Sequence, residues 1–221
     1  DRLCGVADKG IPAANRDHTF LERTMAPLIN PNINADGVIN RLRTETNPKF
    51  RRMLEEVRYH NQVEAVGELE PVIERMSPDC VYHLYEAGQE TVSIAGKDAV
   101  RRDFYENLMK VINPLLEWDA FRVFVDDAGV VTEGRLKAAV RGSYLIEQGY
   151  EADPDGFYLR RAQHLVIWPF DDKLRSTGEI IYYGPAEDWE TVLTQKLKPE
   201  DIGPYEGSFD VPTSEVPGIT C

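Results

Sequence analysis

The sequence is short of several things. It has no long run of apolar residues, which excludes a bilayer-spanning helix of ordinary composition. Its 221 residues include only three cysteines, Cys4, Cys80 and Cys221, and none of them falls at a C-x-x-C or zinc-site spacing. An odd count fits a reducing, cytoplasmic setting, with Cys80 as a small buried apolar residue, and leaves a Cys4–Cys221 bridge open. No apolar leader segment is read at the start, Asp1-Arg2-Leu3-Cys4-Gly5, and no N-x-[ST] site occurs. Basic residues are in the minority, 25 against 38 acids, for a net charge of -13. That balance makes nucleic acid and anionic membrane surfaces poor partners. Four histidines, His18, His60, His83 and His164, are too scattered to suggest a metal site. Patterns for a nucleophile elbow, a zincin, a Walker loop or a dinucleotide fingerprint are missing too, so neither metal nor cofactor is called for.

What is present is an ordinary globular composition, 42% apolar and 29% charged. Residues 1–47 read as an extension rich in Gly, Pro and Asn, with a short helix around 35–43, either flexible or, as the favoured expectation, docked on a neighbour such as a partner subunit. Residues 48–198 read as the main domain, and 199–221 as an irregular tail. Helical spacing of Phe50, Met53, Leu54, Val57 and Asn61 predicts a helix over 48–66, followed by a shorter one over 69–76. A third carries Val100, Phe104, Leu108, Val111 and Ile112 on one stripe and stops at Pro114.

From Trp118 onward the apolar period drops to two. Strands are predicted over 118–126, 129–142, 157–170 and 173–184, with Asp-rich turns joining each pair into a hairpin. Trp118, Phe121 and Phe124 read as core. Pro185 reads as the opening of a last amphipathic helix bearing Trp189, Val192, Leu193 and Leu197. Helices first and an antiparallel or mixed sheet after them predict an α+β fold, a curved sheet wrapping three helices into a cone with a small-molecule pocket.

Two local patterns carry a family resemblance. Ser77-Pro78-Asp79-Cys80-Val81-Tyr82-His83 leads into the first strand, and Ile94-Ala95-Gly96-Lys97-Asp98-Ala99-Val100 opens the third helix. With the hairpin Gly129–Arg141 and the closing Gly178-Glu179-Ile180-Ile181-Tyr182-Tyr183, the chain resembles the nuclear-transport-factor-2-like superfamily over residues 49–197. That superfamily includes SnoaL-like cyclases, ketosteroid isomerase, scytalone dehydratase and limonene epoxide hydrolase. The resemblance implies a cone-shaped pocket and a homodimer through the outer face of the sheet. Aligned on the epoxide hydrolase, it puts the pocket arginine on Arg135, a tyrosine on Tyr82 and the water-activating acid on Glu179. The second acid of that set falls on Lys137, so the same hydrolytic set is not reproduced. The helix-one acid of scytalone dehydratase falls on Ala65.

If Arg135 faces inward, strand alternation carries Glu133, Lys137, Gln163 and Arg161 with it, and on the last strand Glu179, Ile181 and Tyr183. Leu136, Ala138 and Val140 would then face out, onto a dimer surface unless the register is one residue off. Glu179 is then the expected general base, with Arg135 and Lys137 as electrostatic partners and Tyr82 as a hydrogen-bond donor. Gln163, Tyr183, Arg161, His60 and His83 are expected to line the substrate site; of Tyr82 and His83, adjacent on one strand, parity admits only one. Glu64 and Glu68 are alternatives for the missing helix acid, though a solvated helix surface is the plainer reading of both. The expected activity is cofactor-independent acid–base chemistry, a dehydration, isomerisation or cyclisation. Its substrate would be a small, mainly hydrophobic or amphipathic metabolite with a carbonyl or hydroxyl group. A ligand-binding or assembly module without turnover, and an epoxide hydrolase with an altered residue set, are the alternatives.

Overall fold

A computed structural model describes residues 26–209, 211 and 212. Cys4, His18 and Cys221 lie outside the described residues, as does any pairing between the two cysteines. In chain order the elements are α1 (Asp36–Leu42), α2 (Pro48–Glu64), α3 (Leu69–Arg75), β1 (Val81–Glu86), β2 (Val92–Ala95) and α4 (Lys97–Ala99). A π-helical segment, Val100–Tyr105, joins α4 to α5 (Glu106–Val111). Then come β3 (Ile112–Asp126), β4 (Gly129–Arg141), α6 (Gly142–Glu147), β5 (Phe157–Pro169), β6 (Ile180–Ala186) and α7 (Trp189–Leu193). The result is the expected α+β architecture, a strongly curled six-stranded sheet with helices inside its curve. No helix among the described residues is long and apolar enough to cross a membrane.

Strand order is β2-β1-β6-β5-β4-β3, with β1 and β6 parallel and every other pair antiparallel. The parallel contact depends on Gly178, whose φ is +121°, where a Cβ would lie 2.0 Å from the Val81 carbonyl oxygen. Only glycine lets the chain come that close to β1. Glu179 is the next residue, its carbonyl accepting from His83 N at 2.8 Å.

α2 starts where its sequence says it should. Asn47 accepts from Lys49 N and Pro48 takes the first turn. Its inner face buries Met53, Leu54, Val57 and Val63, and with them the polar His60 and Asn61. The π-helical segment changes which residues share a face. In an α-helix, residues five apart point about 140° away from each other, whereas the wider π turn brings them near one face. Val100 and Tyr105 are both fully buried.

The main core lies between α2, α3, the 100–105 segment and the concave face of the sheet, and includes Val38 and Leu42 of α1. The segment before α1 belongs to the same body. It passes around the β3 edge of the sheet. Ile29 packs on the outer face with Ala139, Leu159 and Leu197, whereas Asn34 accepts from Trp118 N at 2.8 Å on the inner side. Ile29 also bridges Ile202. Part of the outer face expected to meet a second subunit is therefore covered by the chain's own two ends.

Three local expectations give way to sheet geometry. A bulge in β3 between Ala120 and Arg122 reverses the alternation, so Trp118 is buried while Phe121 and Phe124 are exposed. Pro185 lies in β6, and the last helix starts from Asp188, which accepts from Thr191 N. It ends at Leu193 because the next residues pair with β5: Leu159 N donates to Gln195 O at 2.9 Å and Leu197 N to Phe157 O at 2.8 Å.

Candidate active site

The cone encloses a cavity of about 290 Å³. Its wall is mainly apolar, with Phe104, Leu108 and Ile112 from the helix and strand above, and Leu136, Ala138, Val140, Val166 and Ile181 from the sheet. Its charged and amide side chains come from separate elements: Asn34 from the edge segment, Asn61 and Glu64 from α2, Glu86 from the end of β1, Glu179 ahead of β6, and Arg160 and His164 from β5.

Glu179 is buried at one end, and its contacts with Tyr82 and His60 fall on one carboxylate oxygen. The Tyr82 hydroxyl donates to Oε1 at 2.5 Å, and His60 Nε2 lies 3.2 Å from the same atom. The Tyr82 hydroxyl is also 2.8 Å from that of Tyr105, which is 3.0 Å from His60 Nε2. Glu64, one helical turn after His60, has Oε2 3.7 Å from Nε2. His60 thus stands between two carboxylates, its ring edge-on to Trp168 at 4.7 Å.

Electrostatics sorts these groups. Burial works against a charge on His60, but the Glu179 carboxylate beside it prevails and holds its pKa above the ordinary value. Glu64 is pushed up to about 7, chiefly by burial, with His60 pulling it down and Glu179 pushing it further up. Burial first, and then the Glu179 charge, keep Tyr82 and Tyr105 well above the usual phenol range, so both hydroxyls stay protonated. His164 is lowered to about 4 by burial and by the Arg160 charge, and is neutral at pH 7. Two amides complete the picture. Asn34 Oδ1 is used by Trp118 N, which fixes the amide, and its buried Nδ2 has no partner. Asn61 Nδ2 is buried and unpaired as well. Such donors are costly to leave unmet.

The sequence expectations divide sharply. Glu179 and Tyr183 line the cavity, and His60 is buried behind Glu179, in contact with it but outside the lining. Tyr82 points inward, but it is fully buried behind Glu179, bonds to that acid and does not line the cavity. His83 faces the other way, with Nδ1 2.9 Å from Ser93 Oγ. Arg135, Lys137, Arg161 and Gln163 need correcting: all four lie on the outer face. Arg135 has a 69% exposed side chain and pairs with Asp119 at 3.1 Å. Lys137 holds Glu117 at 2.7 Å and the Leu28 carbonyl at 3.0 Å. Arg161 holds Glu187 at 2.9 Å, and Gln163 donates to Glu133 at 3.0 Å. The reason lies in strand pairing. Asp119 is directly opposite Arg135 and Glu117 directly opposite Lys137 in the β3–β4 register, so outward-facing acids meet outward-facing bases.

Asn61, Asn34, Tyr105 and Arg160 are residues of this region that the sequence pattern did not assign to it, and Glu64 was named only as an alternative helix acid, with a solvated surface as its plainer reading. Signals existed for some. Glu64 stands four residues after His60, and Asn61 is a polar residue on the apolar stripe of α2. Arg160 alternates in phase with Ala162, His164, Val166 and Trp168. Asn34 had none, because it arrives from the extension around a sheet edge. Among the described residues no group of three acids, histidines or cysteines is arranged to hold a metal ion.

No family model matches the chain, and no curated protein matches it. Solved structures do. A nuclear-transport-factor-2-like protein from Anabaena variabilis aligns with TM-score 0.49 and 13% identity, over 64% of this chain and 94% of that one. The chain is similar in fold to nuclear-transport-factor-2-like proteins. A candidate SnoaL-like polyketide cyclase from Jannaschia sp. CCS1 aligns at TM-score 0.46 and 18% identity, over 69% of this chain and 96% of its own. An epoxide hydrolase/cyclase-like enzyme of pyran ring formation in polyether salinomycin aligns at 0.44 and 13%, over 63% and 96%. At such identities the likeness to these nuclear-transport-factor-2-like structures concerns fold and carries no reaction.

Proposed function

We propose that the chain is an acid–base enzyme of dehydratase, isomerase or cyclase type whose proton transfers use side chains alone. Its substrate is a small, mainly hydrophobic molecule with a carbonyl or hydroxyl group. The observation that carries this is the array Glu179–His60–Glu64 opening onto an apolar cavity that also presents two unpartnered amide donors.

In this reading Glu179 is the base. Tyr82 and His60 fix its Oε1, leaving Oε2 to take a proton from the carbon next to the substrate carbonyl. As that C–H bond breaks, its electron pair moves toward the carbonyl oxygen. The amides of Asn34 and Asn61 supply hydrogen bonds to this oxygen as its charge grows. Glu64, with a pKa of about 7, is half protonated at neutral pH. It gives its proton to a departing hydroxyl, which leaves as water, or to the far carbon of the enolate in an isomerisation. His60 lies between the two acids and returns the proton from one to the other.

The test is a panel of ketones, enols and hydroxy acids screened for thermal stabilisation and turnover with wild type and Glu179→Gln. A compound bound by both proteins and converted by wild type alone supports the reading; equal conversion by both removes Glu179 as base. The second reading, a binding module, is favoured by the same fully engaged Oε1, since a structural network would also pair it. It predicts ligands that bind both proteins unchanged, with Glu179→Gln losing stability only. Epoxides belong in the panel, run in oxygen-18 water, since hydrolysis alone must incorporate the label.

A further inference from the structure

Acids outnumber bases in this chain, yet one cation on the cavity wall forms no ion pair among the described residues. Arg160 lies on the cavity face of β5, and among the described residues no carboxylate is within ion-pair distance of it. Its guanidinium stacks over Trp189, 4.2 Å from the ring centroid, and Tyr144 braces that ring edge-on at 5.9 Å. Its Nε is buried without a hydrogen-bond partner. Tyr144, Glu86, which is on the same cavity wall, and Glu187 act on it only through space, and Glu187 is already held by Arg161 at 2.9 Å. His164, further along the same face, is neutral. A half-buried guanidinium without an ion-pair partner, held by its face on an indole, presents its edge, the geometry that receives a planar anion.

Position gives the ligand its length. Trp168, against His60, and Arg160 are eight residues apart on β5, roughly 25 Å along an extended strand. The wall between them is Ala162, His164 and Val166 on this strand, mostly apolar. We propose that Arg160 binds the carboxylate of an elongated, mainly apolar acid that lies along the cavity with its other end toward Glu179. Placing the reacting end at Glu179 rests on the proposed acid–base function; the anion site does not.

The experiment is displacement of Nile red, a neutral dye, from the full chain by dodecanoate and by dodecan-1-ol, at pH 8. The acid should bind wild type at least tenfold more tightly than the alcohol. Arg160→Met should weaken dodecanoate by about tenfold or more and leave dodecan-1-ol unchanged, with Arg160→Lys between the two. Glu179→Gln should bind dodecanoate like wild type, so loss of catalysis and loss of the anion site are read separately. The proposal is overturned if dodecanoate fails to bind wild type, shows no advantage over the alcohol, or binds Arg160→Met as tightly as wild type. It is equally overturned if acid and alcohol weaken together in a folded Arg160→Met. Should that variant not fold, the acid–alcohol comparison in wild type and the Arg160→Lys variant decide.

Discussion

The two faces of the sheet use the same kinds of residue for different ends. On the outer face of β3 and β4, Arg122, Arg135 and Lys137 meet Glu133, Asp119 and Glu117 across the strands. Most of these side chains remain in contact with solvent, so each pair is worth little on its own. On the inner face there are few ionisable groups, and around Glu179 they are buried or nearly so. Glu179, His60 and Glu64 are joined by steps of at most 3.7 Å, and the Glu179 charge raises the pKa of both His60 and Glu64. Burial, rather than residue type, separates a solvated charge ladder from a candidate reaction centre.

The largest expected contrast is in turnover. Once a substrate is in hand, Glu179→Gln should lower kcat about 100-fold or more, while leaving binding in place; steady-state kinetics reads it. A substitution that kept turnover would make the inner face as inert as the outer one. Tyr82→Phe comes next. It removes the 2.5 Å bond to Glu179 and leaves a buried acceptor short of a donor, which should cost roughly 2 kcal/mol in urea unfolding.

The pH dependence of stability sharpens the contrast further. Glu64 binds its proton more tightly folded, near 7, than unfolded, near 4.5. Its contribution is therefore full below about 4.5 and is lost as pH rises to about 7. His60, also raised, acts in the same direction above 6.5. Wild type should thus unfold more easily at pH 8 than at pH 5. Glu64→Gln should flatten that fall by on the order of 1–2 kcal/mol, visible in melting curves at the two pH values. The smallest effect belongs outside: Arg135→Ala should change stability by less than about 0.5 kcal/mol and leave turnover alone. A large loss from Arg135→Ala would erase the distinction between the faces.

Much of the fold was legible along the chain. The helices at 48–64 and 69–75, the β3–β4 hairpin and the cone all follow from apolar period, caps and Asp-rich turns, whereas the strand expected over 173–184 forms over 180–186, after a connection of residues 170–179 in place of a tight turn. The site was half legible. Glu179 and Tyr183 fall on the cavity side of the last strand by parity, and His60 lies on the buried stripe of α2. On β4 the alternation itself favoured Leu136, Ala138 and Val140 inside; placing Arg135 there came from the family resemblance and went against it. Register also hid the answer. The bulge after Ala120, and an extra residue on β6 between Tyr183 and Ala186, switch which residues share a face, and a one-residue slip exchanges the faces entirely.

By itself, then, the sequence determined the class of fold, the order of its elements and the net acidity of the chain. Those depend on local period, turn chemistry and composition, which are written residue by residue. Tertiary structure alone decided that His60 stands between Glu64 and Glu179, that Tyr105 reaches them from a π-helical turn, and that Asn34 enters the cavity from around a sheet edge. It also left Arg160 there without an ion pair among the described residues. Each of these joins residues far apart in the chain, and the energy of a buried charge depends on what surrounds it in space.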